Sequence, residues 1–429
     1  MQNLKIILYF FVTILFLGNT LAMGIKIQKE DNPDCSKGPG NRPFPNISTG
    51  LKNKDMPFNH LIVIMQENHS FDHYFGKLNQ PKFYGDKVDG VMDSFYNTYF
   101  KRRKHYSFHS KTLCLTDPAH QYKEMHKAWN EGKNDRFVKS PGGGFGEYVM
   151  AYFDETDLPF YYSLANNFAI ADRYFASGLT GTHPNRLFLL SGTAGGEVTN
   201  NGRKFTWKTI FEVLNEHKIS WKYYRDGGGY LYLFKSFHDK NLDKIKSIAD
   251  YDNDVRNKTL PAVSFVDAPW DETDEHPAGG NIQRGQKWVG DRITPIMAGD
   301  LWKDTVIFLT YDEGGAFYDH VPPPKACLPD DKKNKKGHWQ PDRYGFRVPF
   351  TAISAFVQKH YVSHMTYDHS SVLKFIQTWY NLPALTKRDA NANNLLDLFN
   401  FKNPNFENPL PYLTLPVVDP KKVCEKPHK

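Results

Sequence analysis

The chain has 429 residues, with 54 Lys and Arg against 47 Asp and Glu, a net charge of +7 at pH 7, 24% charged residues and a mean hydropathy of −0.59. That polarity excludes a multispanning membrane protein, because past the first residues no apolar run approaches the ~20 residues a bilayer demands. Four cysteines, Cys35, Cys114, Cys327 and Cys424, lie far apart with no CxxC pair, which argues against a thiolate zinc site or a redox dithiol and leaves three disulfide pairings open.

From the N-terminus, Lys5 precedes an apolar run over 6–17 and the small-residue ending Asn19-Thr20-Leu21-Ala22, the layout of a secretory signal peptide with cleavage expected after Ala22. Residues 1–22 are read as a leader, 23–56 as a lead-in, 57–399 as one elaborated domain, and 400–429, rich in Asn, Pro and Lys, as an extended tail. The mature chain is therefore expected to be exported. The basic charge favours approach to an anionic membrane surface or to phosphate groups. Lys101-Arg102-Arg103-Lys104 is too short a basic run, and too poor in aromatics, to point to nucleic acid. Asn46-Ile47-Ser48 and Asn257-Lys258-Thr259 fit glycosylation acceptors in a host that modifies exported proteins.

Apolar runs at 60–65, 221–224, 262–266, 305–309 and 350–356 read as strands buried on both faces. Helical patterns at 185–190, 207–215 and 370–379 alternate with them. The expected fold class is α/β, a mostly parallel central sheet with helices on both sides and loop insertions at 81–117, 140–146, 268–285 and 329–342.

Two strands end in acids. The first runs into Gln66-Glu67-Asn68-His69-Ser70-Phe71-Asp72, and the fourth into Tyr311-Asp312-Glu313-Gly314-Gly315. Sites of open parallel sheets form outside the carboxyl ends of strands. Glu67, Asn68, Asp312 and Glu313 supply hard oxygen ligands for one divalent cation, and the glycines let the backbone turn away after delivering them. Either cluster alone is better explained by capping or solvated carboxylates. Together they point to a metal.

Thr180-Gly181-Thr182-His183-Pro184-Asn185-Arg186 comes next, followed by apolar helical residues, with Pro184 suited to a first turn. Thr182 then lies at a helix N-terminus, where free N–H groups and the dipole favour a phosphoryl oxyanion and a threonine nucleophile, although an N-cap is the plainer role. His120, His276 and His320 each sit in a loop beside acidic residues, which suits protonated imidazoles that stabilise phosphate charge or donate a proton.

The long run Ile64-Met65-Gln66-Glu67-Asn68-His69-Ser70-Phe71-Asp72-His73-Tyr74-Phe75-Gly76 resembles the signature of the phosphoesterase family that contains bacterial phospholipases C and acid phosphatases. Thr182-His183-Pro184-Asn185-Arg186 and the run from Tyr311 to His320 resemble its other signatures, in the same order over roughly residues 58–380. The resemblance implies an alkaline-phosphatase-like α/β/α sandwich, metal held at Glu67, Asn68, Asp312 and Glu313, a nucleophile at Thr182, and phosphate-binding histidines at 120, 276 and 320. It favours zinc, whereas ligand hardness alone suits Ca, Mg or Mn. Tyr367-Asp368-His369-Ser370-Ser371 resembles a further family segment and is read as structural support.

The implied activity is a secreted phospholipase C that attacks a phospholipid at a membrane surface through a phospho-threonine. A phosphomonoesterase and a non-catalytic lipid-binding protein are the alternatives. Trp270, Tyr311 and Tyr318 flank the proposed site segments and suit either a choline cage or core packing.

Overall fold

The computed structural model describes residues 32–99, 103–139, 146–200, 202, 204–226, 229–270, 273–277, 280–330, 341–406, 408 and 413. The leader, the first part of the lead-in, Lys101 and Arg102, nearly all of the glycine-rich 140–146 and most of the tail from 407 lie outside the described residues.

Eight strands form one sheet: β1 (His60–Gln66), β2 (Ala169–Ala171), β3 (Trp221–Tyr224), β4 (Ile245–Lys246), β5 (Val263–Val266), β6 (Thr305–Tyr311), β7 (Phe350–Ser354) and β8 (Tyr361–Ser363). Their order is β8-β2-β7-β6-β1-β5-β3-β4. Every neighbouring pair is parallel except those of β7, which runs antiparallel to β6 and to β2. Successive strand residues point to opposite faces. In β6 every residue is buried, and in β1 every residue after His60, so both faces of the sheet centre are covered.

The covering helices fall into two groups that pack among themselves. One contains α2 (Thr182–Ser191), α3 (Ile210–Glu216) and α6 (His369–Tyr380); the other contains α1 (Pro159–Asn167), α4 (Ile248–Asn257) and α5 (Ile282–Met297). Their starts follow local chemistry. Pro159 opens α1, and Thr209 with Glu212 and Ser247 with Asp250 form capping boxes for α3 and α4. The central apolar runs expected as strands are strands, and the three helical patterns are helices. The expected run 350–356 stops at Ser354 and is reversed in direction.

The insertion after β1 is not bare loop. Tyr96–Thr98 pairs with Lys104–Tyr106, Phe108–His109 pairs with Ala151–Tyr152, and a second, smaller apolar cluster that includes Val91, Phe137, Val149 and Phe346 lies apart from the main core. The lead-in is tied down as well: the N–H groups of Gly40, Gly50 and Asn53 donate to the carbonyls of Ala384, Tyr380 and Trp379. Cys35 is bridged to Cys327, which settles one of the open pairings. Among the described residues no helix is long and apolar enough to cross a membrane.

Candidate active site

Three adjacent parallel strands, β6, β1 and β5, end at one edge, and each delivers an acid there. β1 runs into Glu67 and Asn68, β6 into Asp312 and Glu313, and β5 into Asp267. The β1–β6 register sets Gln66 beside Tyr311, and the Asp312 N–H donates to the Gln66 carbonyl at 3.1 Å. The N–H groups of Asn68 and Glu313 both donate to Asp312 Oδ1, at 3.1 and 2.8 Å. The two strand-end loops lie so close that a Cβ on Gly315, whose φ is +61°, would stand 2.2 Å from the Asn68 carbonyl oxygen. Glycine is therefore required at 315, and its N–H donates to Glu313 Oε2 at 2.7 Å.

Helix α2 brings Thr182 and Arg186 to this edge. Gly181 caps it and Thr182 is its first residue. The Asn185 amide ties down the preceding turn: it accepts from the Gly178 N–H at 2.9 Å and donates to the Thr180 and Gly181 carbonyls at 2.9 and 3.1 Å. The Thr182 hydroxyl is near enough to the Asp312 carboxylate to favour its charged form. One turn further, the buried Arg186 guanidinium donates to Asp267 Oδ1 at 2.9 Å and to Glu67 Oε1 at 3.2 Å, with Nε 3.6 Å from Asp312 Oδ2.

On the other flank, His120 sets Nδ1 3.1 Å from Asp117 Oδ1 and 2.7 Å from the Pro118 carbonyl, and Nε2 3.4 Å from Glu313 Oε1. The His276 ring stands 5.8 Å from that of His120, and Asp117, His120 and His276 form a group compact enough to hold a cation themselves. The His276 loop is tied to β1, because the Glu67 N–H donates to the Asp274 carbonyl at 3.0 Å. Its next residue, Glu275, is a fully buried carboxylate that accepts from Tyr74, Tyr311 and Gln66 at 2.7, 2.8 and 3.1 Å, and from Tyr161.

His320 is engaged elsewhere. Its Nδ1 lies 2.7 Å from Asp72 Oδ2 and its Nε2 2.8 Å from Asp89 Oδ1, while Arg347 donates to Asp72 and Asp319. With both ring nitrogens on carboxylates it has none to offer a phosphoryl oxygen, which corrects its expected place in the phosphate-binding set. Tyr311 and Tyr318 are buried, Tyr311 on Glu275 and Tyr318 against Phe137, so neither is free to face a choline. Trp270 is exposed and already carries the Arg225 guanidinium on its ring at 4.1 Å. His369 supports the site from behind, its Nε2 2.7 Å from the Asp312 carbonyl.

The charges at the strand ends are strongly perturbed. Burial, reinforced by Glu67, pushes the Asp312 carboxyl up to about 7 against the pull of Arg186. Burial raises Glu313 well above the carboxylate range, with His120 opposing and Asp312 adding to it. Glu67 is held low, because Arg186, His276, Tyr230 and Arg225 together outweigh its burial. Burial would lower His120, but Glu313 and Asp117 prevail and push it up to about 10. Acids that hold protons this tightly release them to a cation. Asn68 Oδ1, Asp312 Oδ2 and Glu313 Oε1 are buried with no hydrogen-bond partner, a cost of ~1–3 kcal/mol each that a coordinated ion removes. Hard oxygens without a hydrogen bond, supplied by two neighbouring strand ends, are of the kind that a divalent cation takes.

Arg186, Asp267 and Tyr230, whose hydroxyl donates to Glu67 Oε1, were not singled out in the sequence. Arg186 had a legible signal: an arginine one turn after Thr182, in a helix otherwise apolar enough to be buried, demands a buried anionic partner. Tyr230 had none.

The phosphoesterase family model matches residues 58–383, which hold all of these side chains. The chain belongs to the phosphoesterase family. This phosphoesterase is therefore a hydrolase of phosphoric esters. It is 31% identical over 447 residues to a protein named phospholipase C B of Mycobacterium tuberculosis, a match that covers 88% of this chain and 84% of that one. It is 29% identical to the non-hemolytic phospholipase C of Burkholderia pseudomallei, over 81% of this chain and 59% of that one. With the non-specific phospholipase C1 of Arabidopsis thaliana it shares 30% identity, over 81% of this chain and 72% of the plant protein. A solved structure described as a protein in the alkaline phosphatase superfamily from Vibrio parahaemolyticus is a more distant match, at 10% identity and a TM-score of 0.41, over 86% of this chain and 74% of that one.

Proposed function

We propose that this phosphoesterase is an exported, metal-dependent phospholipase C that cleaves glycerophospholipids at a membrane surface to diacylglycerol and a phosphorylated headgroup, with Thr182 as its nucleophile. The observation that carries the reading is the Thr182 hydroxyl at a helix N-terminus, against Asp312 and beside the unpartnered oxygens of Asn68, Asp312 and Glu313. The relatives named phospholipase C support the lipid substrate. The leader-like residues 1–22 and the Cys35–Cys327 bridge support export to an oxidising compartment.

Glu67, Asn68, Asp312 and Glu313 would hold the cation, with zinc ranked ahead of Mn, Ca and Mg on the family resemblance. When bound, the ion polarises a phosphoryl oxygen and favours the alkoxide form of a neighbouring hydroxyl. The chain's own residues do the rest. Thr182, its proton passed to solvent, attacks phosphorus opposite the departing diacylglycerol oxygen, and the Thr182 N–H with the positive end of α2 stabilises the charge that develops on the phosphoryl oxygens. His120, held charged by Glu313 and Asp117, faces that same charge. His276 gives a proton to the leaving oxygen and takes one from the water that hydrolyses the phospho-threonine. Arg186 keeps Glu67 and Asp312 together without a second cation.

The test is hydrolysis of phosphatidylcholine, phosphatidylglycerol and p-nitrophenyl phosphate by the purified protein, before and after chelation, with zinc, manganese, calcium and magnesium restored one at a time. Metal-dependent release of diacylglycerol is expected. Cleavage of the monoester alone would make the protein a phosphatase, and no cleavage with any ion would leave a lipid-binding protein.

A further inference from the structure

The fourth parallel strand of this half of the sheet, β3, also ends at the functional edge, and it delivers a cation. Arg225 follows Tyr224 directly, two strands along from Glu67, in the order β1-β5-β3. It is only 4% exposed. Its Nε and Nη1 are buried without a hydrogen-bond partner, the nearest carboxylate oxygen, Asp267 Oδ2, standing 3.9 Å from Nη1. A fully satisfied structural arginine uses its five N–H donors, and leaving the three on these two nitrogens unmet in the interior is costly. Asp267 is also already committed to Arg186 and Tyr223.

What surrounds Arg225 belongs to the site. Its guanidinium lies 5.0 Å from the Tyr230 ring centre, and Tyr230 donates to Glu67. Trp270 covers it at 4.1 Å, is itself 54% exposed, and donates from its indole N–H to the Tyr230 hydroxyl at 2.9 Å. A substrate whose phosphorus is at Thr182 therefore has, next to the metal ligands, an exposed indole over a fixed positive charge with unmet donors.

We propose that Arg225, beneath Trp270, is the headgroup subsite of this enzyme and takes an anionic group, a carboxylate or a second phosphate, borne by the headgroup of the lipid. This rests on the phospholipase C reading and adds to it the class of lipid preferred. The planar guanidinium offers its unmet N–H groups to the oxygens of such a group. A quaternary ammonium fits poorly, because the aromatic face that would receive it already receives an arginine of the same sign.

The experiment compares kcat/KM for phosphatidylserine, phosphatidylinositol 4-phosphate and phosphatidylcholine in neutral detergent micelles, for the metal-loaded wild type, Arg225→Lys, Arg225→Gln and Trp270→Ala. The wild type is expected to favour one or both anionic headgroups over choline by about tenfold or more, the scale of one hydrogen-bonded charge pair. The phosphatidylserine and phosphoinositide arms tell a carboxylate from a phosphate. Arg225→Gln should bring that ratio close to one. Arg225→Lys keeps the charge that draws the protein to an anionic micelle but loses the planar fork, and should lose most of the preference. Trp270→Ala, at an exposed position, uncovers the guanidinium and should keep or raise the ratio. Choline lipid cleaved as well as the anionic lipids by the wild type overturns the proposal even if both arginine variants fail to fold, as does a ratio unmoved in Arg225→Gln. Failure to cleave any of the three lipids overturns the phospholipase reading and this proposal with it, whereas cleavage without the preference overturns this proposal alone.

Discussion

His320→Gln separates a structural from a catalytic histidine. Burial would lower this imidazole, but Asp72 on one nitrogen and Asp89 on the other raise it from 6.5 to about 9. The folded protein thus holds the proton more tightly than the unfolded chain. Its contribution is complete below pH 6.5 and is lost as the pH rises through about 9. A rise of that size corresponds to about 3 kcal/mol. Asp89 is 39% exposed, so solvent screens that half of the arrangement and about 2 kcal/mol is the expected figure. Urea unfolding of wild type and variant at pH 6, 8 and 10, in chelator so that ion uptake does not enter, gives the difference directly. The variant should be less stable at pH 6 by at least that amount, and the gap should shrink by about 2 kcal/mol at pH 10. Where the variant is folded, phosphoester turnover should stay within a few-fold of wild type. A stability gap flat across the range, or a hundredfold loss of turnover in a fully folded variant, refutes the assignment.

Thr182→Ala should lower turnover by on the order of 10⁴-fold while leaving the circular dichroism spectrum and thermal midpoint nearly unchanged; activity above one per cent of wild type removes Thr182 as nucleophile. Asp312→Asn should weaken metal binding by more than about tenfold, measured as metal content after dialysis, and an unchanged content counts against its role. Gly315→Ala meets both a left-handed backbone and the Asn68 carbonyl; it should cost roughly 2–4 kcal/mol by thermal or urea unfolding and weaken metal binding, and a loss below 0.5 kcal/mol would mean that the two strand-end loops are not as close as described.

The central strands were legible because β1 and β6 are buried on both faces and so read as unbroken apolar runs. Strands β2, β4 and β8, of two or three residues each, are too short for a periodic pattern. The direction of β7 was hidden for another reason: burial on both faces leaves the same apolar run whichever way a strand points. The acids at 67, 312 and 313 could be placed at one edge because each ends such a run. Histidine partners could not be read from local sequence. His320 was judged by Asp319 next to it, yet the carboxylates on its ring are Asp72 and Asp89, separated from it by 248 and 231 residues. Arg225 and Asp267 escaped notice in the same way, since their meaning comes from strands that are neighbours only in the sheet.

The reversal of β7 has a consequence for how this scaffold can diversify. Phe350, its first residue, pairs with Thr310 near the end of β6, so the chain leaves the sheet and returns to it at the same edge. The chain between Gly314 and Pro349 thus starts and finishes beside Asp312 and Glu313. Its roots are held by Gly315 against Asn68 and by Arg347 on Asp72 and Asp319, and further along it is pinned by His320 on Asp72 and Asp89 and by the Cys35–Cys327 bridge. Between those ties it can lengthen, shorten or be exchanged without threading through the sheet or shifting the register of its neighbours. Chimeras that graft the middle of this excursion from a related enzyme should therefore reshape the rim of the active site while the hydrolytic centre folds as before.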